Sequence, residues 1–147
     1  MPDLFDHLKD MLSHLLPQPH PVDTITITRD VLDDIEEFAK ANYPREFVAV
    51  LEGSQNKAIV SITGLFYQPF KSSSHTAIMQ MNLPIISNAV GSVHSHPSSF
   101  TSPSQQDLHF FAKSGVVHLI IGHPYRDQDV ACFDFQGLRR KLTVVQG

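Results

Sequence analysis

The run Val116-Val117-His118-Leu119-Ile120-Ile121-Gly122 constrains the fold of this chain more than any other stretch. It is β-branched, almost wholly apolar and closed by glycine, so it reads as a strand buried within a sheet. Its surroundings alternate in character. A short β-like run covers 24–28, and Val31, Ile35, Phe38 and Ala39 then recur at helical spacing until Asn42-Tyr43-Pro44 stops them. Strands are predicted over 47–51, 58–67, 76–81 and 90–96, a helix over 104–113, and closing strands over 130–135 and 141–145. The sum is one mixed α/β layer structure, a central sheet with helices packed on it. At 147 residues the chain is long enough for one domain with a sizeable core.

The N-terminus has a different pattern. Leu4, Phe5, Leu8, Met11, Leu12, Leu15 and Leu16 lie at helical spacing, with Asp6, Lys9, Asp10 and Ser13 opposite, which predicts an amphipathic helix over 3–16. Pro17-Gln18-Pro19-His20-Pro21 then forbids helix and acts as a stiff spacer. Residues 1–21 are therefore set apart from a domain over 22–147. The helix either packs on the domain's own surface or docks a partner, a second copy included, which would make a homodimer. Its polar face lacks the basic residues that anionic lipid attracts.

Composition narrows the function. A net charge of −4 without a basic stripe argues against nucleic acid as a partner. No apolar run approaches the ~18–20 residues needed to cross a bilayer, and acids precede any apolar run at the start, so a cytoplasmic location is expected. The one cysteine, Cys132, excludes an internal disulfide, Cys-rich zinc sites and zinc-deaminase chemistry. Within Val130-Ala131-Cys132-Phe133 it reads as packing.

The segment that carries chemistry is His94-Ser95-His96-Pro97, followed by Pro103-Ser104-Gln105-Gln106-Asp107. Strand residues two apart point the same way, so His94 and His96 project from one face at a strand's end. Two imidazoles on a rigid element make two thirds of a catalytic zinc site, which keeps a fourth position for water. Asp107, arriving at the start of the next helix, supplies a third ligand. Ser104-Gln105-Gln106-Asp107 also matches a capping box, in which Asp107 would only satisfy a backbone N–H. No Gly-x-Ser-x-Gly elbow surrounds Ser95 or the serines of 98–104, and the helical His-Glu-x-x-His of other zinc proteases is missing.

His-Ser-His-Pro, then Pro-Ser-x-x-Asp with ten residues between His96 and Asp107, resembles the JAMM signature of the MPN+ (Mov34/PAD-1) metalloproteases. The resemblance runs over roughly 24–145 and suggests a compact prokaryote- or archaeal-type member. It implies a single three-layer, cytidine-deaminase-like α/β domain with helices flanking a mixed sheet, the N-terminal helix being extra. It implies Zn2+ on His94, His96 and Asp107, with Glu46 of Tyr43-Pro44-Arg45-Glu46 as general base and then acid. Where many members follow that glutamate with Cys-Gly, this chain has Phe47-Val48, which leaves Glu52 as a rival, although Glu52 beside Gly53 better suits a solvated turn. Ser104 would donate to the oxyanion of the tetrahedral intermediate, unless it serves only as helix N-cap. The implied substrate is the amide after the C-terminal Gly-Gly of a ubiquitin-like protein, in a lysine conjugate, or of a sulfur carrier. A metallohydrolase of small amides or ordinary peptides and a non-catalytic scaffold are the alternatives. His75, His109, His118 and His123 lie outside the motif and are expected at the surface or behind the ligands.

Overall fold

The structure, a computed structural model, describes residues 9–67 and 88–147. Elements in chain order are β1 (Thr24–Thr28), α1 (Arg29–Asn42), β2 (Val48–Asn56), β3 (Ile59–Phe66), β4 (Ala89–His96), α2 (Gln105–Lys113), β5 (Val117–Gly122), β6 (Val130–Phe133), β7 (Arg139–Arg140) and β8 (Thr143–Val145). Among the described residues these strands form one eight-stranded sheet in the order β7-β6-β5-β4-β2-β3-β1-β8. It is mixed: β4 runs parallel to β5 and β1 parallel to β3, while β2 is antiparallel to both β3 and β4. The strand expected over 76–81 and the first part of the N-terminal helix lie outside the described residues. No helix among the described residues is long and apolar enough to cross a membrane.

Alternation along the strands sorts the core into two clusters, one on each face of the sheet. Ala49, Leu51, Leu119 and Ile121 pack with Val31, Leu32, Ile35 and Ala39 of α1. Val48, Val50, Ile120 and Ala131 pack with Phe110 and Phe111 of α2 and with Leu12 and Leu16 of the N-terminal segment. This is the expected three-layer α/β arrangement, and Cys132 is buried in the α1-side cluster. Gly91 lets β4 approach β5 closely, because a Cβ there would stand 1.6 Å from the carbonyl oxygen of Val117.

Three local expectations are corrected. β2 runs on to Asn56, so Glu52 lies inside a strand, at a bulge opposite Gly64 and Ala89, and not in a turn. A two-residue strand, Arg139–Arg140, pairs with β6. Lys9, expected on the polar face of its helix, is only 8% exposed. A partner for its charge outweighs the helical pattern there, as the site makes clear.

Candidate metal centre

β4 carries Ser92, His94 and His96 toward the α2 side of the sheet. On α2, Asp107, Phe110 and Phe111 fall on one face by the three- and four-residue spacing of a helix, and all three are buried. Phe111 stacks on His118 of β5, with ring centroids 4.2 Å apart, and His118 in turn bonds the Ser92 hydroxyl at 2.7 Å. Packing of the phenylalanines thus aims Asp107 at β4. His94 Nε2 stands 3.3 Å from Asp107 Oδ1, and His96 Nε2 stands 3.9 Å from Oδ2. One ligand atom from each of the three residues lies within 4.8 Å of the others. Ligand bonds of ~2.0–2.2 Å put the donors of a tetrahedral ion roughly 3.3–3.6 Å apart, close to what the side chains present.

Protonation suits the same end. The His96 Nδ1 lies 2.8 Å from the Phe100 carbonyl oxygen. A carbonyl only accepts, so Nδ1 carries the hydrogen and Nε2 turns a lone pair toward Asp107. Burial pushes the His94 imidazole below its ordinary value and keeps it neutral, as a ligand must be. Burial opposes ionisation of the Asp107 carboxyl. The neighbouring His94 ring, the Lys9 ammonium and the Ser104 N–H outweigh it and hold the carboxyl below the usual carboxylate range. Two imidazoles and a carboxylate are donors that suit a transition metal, so the residues present fit an ion.

The capping box and the ligand role prove compatible. Ser104 Oγ accepts from the Asp107 N–H at 3.0 Å, and Asp107 Oδ2 accepts from the Ser104 N–H at 2.9 Å, which leaves Oδ1 facing His94. Accepting uses a lone pair of the Ser104 hydroxyl and not its hydrogen, so the cap does not exclude donation.

Register separates the two glutamates. Val48 pairs with His94, and Glu52 pairs with Ala89 at the far end of β4. Glu46, two residues before Val48, is exposed on the approach to the His96 end. Glu52 lies six residues on, about 20 Å away at ~3.3 Å per residue.

Three neighbours went unmarked in the sequence. Ser95 clasps the residue after Glu46 twice: its N–H donates to the Phe47 carbonyl at 3.0 Å, and its hydroxyl accepts the Phe47 N–H at 2.9 Å. The Tyr125 hydroxyl donates to the His96 carbonyl at 3.3 Å. Burial, then the charges of Tyr43 and Glu46, push the Tyr125 phenol up, which puts Glu46 within electrostatic reach of that tyrosine. Lys9 Nζ pairs with Asp107 Oδ1. The inward-facing serine, the Tyr125 hydroxyl and the remote lysine are contacts of tertiary folding, without a periodic signal. Of the remaining histidines, His118 is buried between Ser92 and Phe111, and none besides His94 and His96 joins the cluster among the described residues.

Comparison with known proteins agrees with this geometry. Residues 28–136 match the family model of prokaryotic homologs of the JAB domain. A probable metalloprotease of Haloferax volcanii is 31% identical over 135 residues, covering 84% of this chain and 81% of that protein. A JAB1/MPN domain protein from Archaeoglobus fulgidus superposes with a TM-score of 0.66 at 34% identity, over 83% of this chain and all (100%) of that one. A structure described as a JAMM metalloprotease-like zinc site in the proteasome and signalosome gives 0.64 at 31% identity, over 84% of this chain and 100% of that one. A Desulfitobacterium hafniense protein, 18% identical with a TM-score of 0.60 over 84% of this chain and 94% of its own, shares the fold. With the signature residues gathered at one end of β4 and the family model spanning most of the sequence, the chain belongs to the JAB/JAMM family of metalloproteases, among its prokaryotic homologs.

Proposed function

We propose that this protein is a zinc-dependent isopeptidase or peptidase that cuts the amide after the C-terminal Gly-Gly of a ubiquitin-like modifier or sulfur-carrier protein. The observation that carries the reading is the convergence of His94, His96 and Asp107 within 4.8 Å. Bound zinc would supply a Lewis acid that makes water nucleophilic near neutral pH.

The chain's own residues would do the rest. Glu46, exposed beside the His96 end of β4, takes the proton of the attacking water and returns it to the departing lysine amine. Ser104 donates its hydroxyl hydrogen to the developing oxyanion, a contribution of ~3–4 kcal/mol for a donor of this type. Phe100 holds His96 in the ligating tautomer through its carbonyl, and Tyr125 tethers the same histidine's backbone. An extended Gly-Gly tail is thin enough to enter a narrow groove and to bond along a sheet edge. The complete ligand set and the metalloprotease relative favour catalysis over a scaffold role. The reading places the protein in the cytoplasm, with its catalytic domain beginning at residue 22.

Incubating the zinc-loaded protein with a Gly-Gly-tailed ubiquitin-like conjugate tests the reading. Release of the free modifier is expected, and Glu46→Gln should abolish it. Turnover of simple amides with every such conjugate left intact would move the assignment to a small-amide or peptide hydrolase.

A further inference from the structure

Lys9 comes to the metal centre from outside the span that the family model matches, 28–136. Its Nζ pairs with Asp107 Oδ1, the same oxygen that stands 3.3 Å from His94 Nε2. Oδ2 is committed to the helix cap through the Ser104 N–H. Oδ1 is therefore the oxygen nearer to a histidine and outside the cap, 3.3 Å from His94 against 3.9 Å between Oδ2 and His96, and an ammonium holds it. A buried ammonium needs a carboxylate to offset its desolvation. The backbone bearing Lys9 is itself anchored. Leu12 and Leu16 are buried in the α2-side core, and the Gly115 N–H donates to the Pro17 carbonyl at 2.7 Å. Beside the lysine lies a cavity of about 340 Å³, lined by Lys9, Asp10, Gln106, His109 and Lys113 among others. Its side chain has room to swing aside without unseating the leucines.

We propose that Lys9 is a built-in competitor of the metal: ammonium and ion claim the same Asp107 oxygen, so metal binding expels Lys9 toward the neighbouring cavity. The inference rests on the metal-centre reading above. Two cations on one oxygen repel each other, and a competitor lowers apparent affinity by the free energy of its own contact. The N-terminal segment thereby tunes how tightly the centre holds its ion.

The test is zinc affinity of the full-length chain, measured by competition with a chromogenic chelator, for wild type, Lys9→Met and Lys9→Arg. Lys9→Met should bind zinc at least about tenfold more tightly, because taking one partner from a buried ion pair destabilises the metal-free form. Lys9→Arg, which keeps the charge, should stay within about threefold of wild type. Should Lys9→Met prove less stable without metal, its zinc-induced rise in Tm should exceed the wild-type rise. Affinity and Tm rise in Lys9→Met equal to or below those of wild type would overturn the proposal, provided wild type binds zinc through His94. A wild type that binds no zinc would overturn both this inference and the metal centre beneath it.

Discussion

Glu46 and Glu52 carry the same side chain six residues apart, yet pairing gives them different company. Val48 opposite His94 carries the line of β2 back to Glu46 at the level of His96, while Glu52 sits at the bulge opposite Ala89. Glu46→Gln should keep its metal and lose at least about a hundredfold in kcat, the usual scale for a positioned proton carrier, while Glu52→Gln stays near wild type. Turnover and metal content measured on both variants check this, and an inactive Glu52→Gln beside an active Glu46→Gln would reverse the assignment. Ser95 acts one residue further back. Without its hydroxyl the buried Phe47 N–H loses its partner, at a cost of about 1–3 kcal/mol, and the chain bearing Glu46 is held to β4 by one hydrogen bond in place of two. Ser95→Ala should therefore lower kcat more than it raises KM, and Ser95→Thr should restore both. A Ser95→Ala variant that is less stable in urea but keeps its kcat would reduce the clasp to a structural role.

Among the elements, β4, β5 and α2 were legible because each carries its own signal: an apolar strand, two histidines in register, a capping box before a helix. The apolar pattern marks only the first part of β2, since Glu52, Ser54, Gln55 and Asn56 break it while their backbones still pair with β3. β7 is two arginines long and charged, too little for any periodicity. Cap and ligand look like rivals in the sequence because it shows one carboxyl and not which oxygen faces which neighbour. Substitution at Gly91 belongs to this scale. Its added Cβ meets backbone at 1.6 Å and not a flexible side chain, so Gly91→Ala should part β4 from β5. A loss of about 1–3 kcal/mol or more in urea unfolding is expected, as for other overpacked sites. Unchanged stability would show that the two strands are less closely joined than described.

At the scale of the molecule, two cores on opposite faces of one sheet leave a polar seam on the α2 side, where Ser92, His94, His118 and Asp107 are all buried. The sequence could mark the motif residues of that seam. It could not show that Lys9 joins them across 98 positions, since such a contact exists only once the N-terminal segment is docked. Burial pushes His118 down to about 3. The unfolded chain binds that proton near pH ~6.5 and the folded chain only near 3, so this stability is complete above ~6.5 and is lost as pH falls between the two values. The loss approaches ~1.4 kcal/mol per pH unit. Urea unfolding of metal-free protein at pH 7 and pH 4.5 should show a larger acid loss in wild type than in His118→Gln, and equal losses would remove His118 from the account. The central claim is that β4 and α2 bring two imidazoles and a carboxylate onto one ion. Zinc content of the purified chain, beside that of His94→Ala, tests it most directly. About one zinc per wild-type chain and almost none in the variant is the predicted result. A wild type without zinc, or a variant that retains as much, would contradict it.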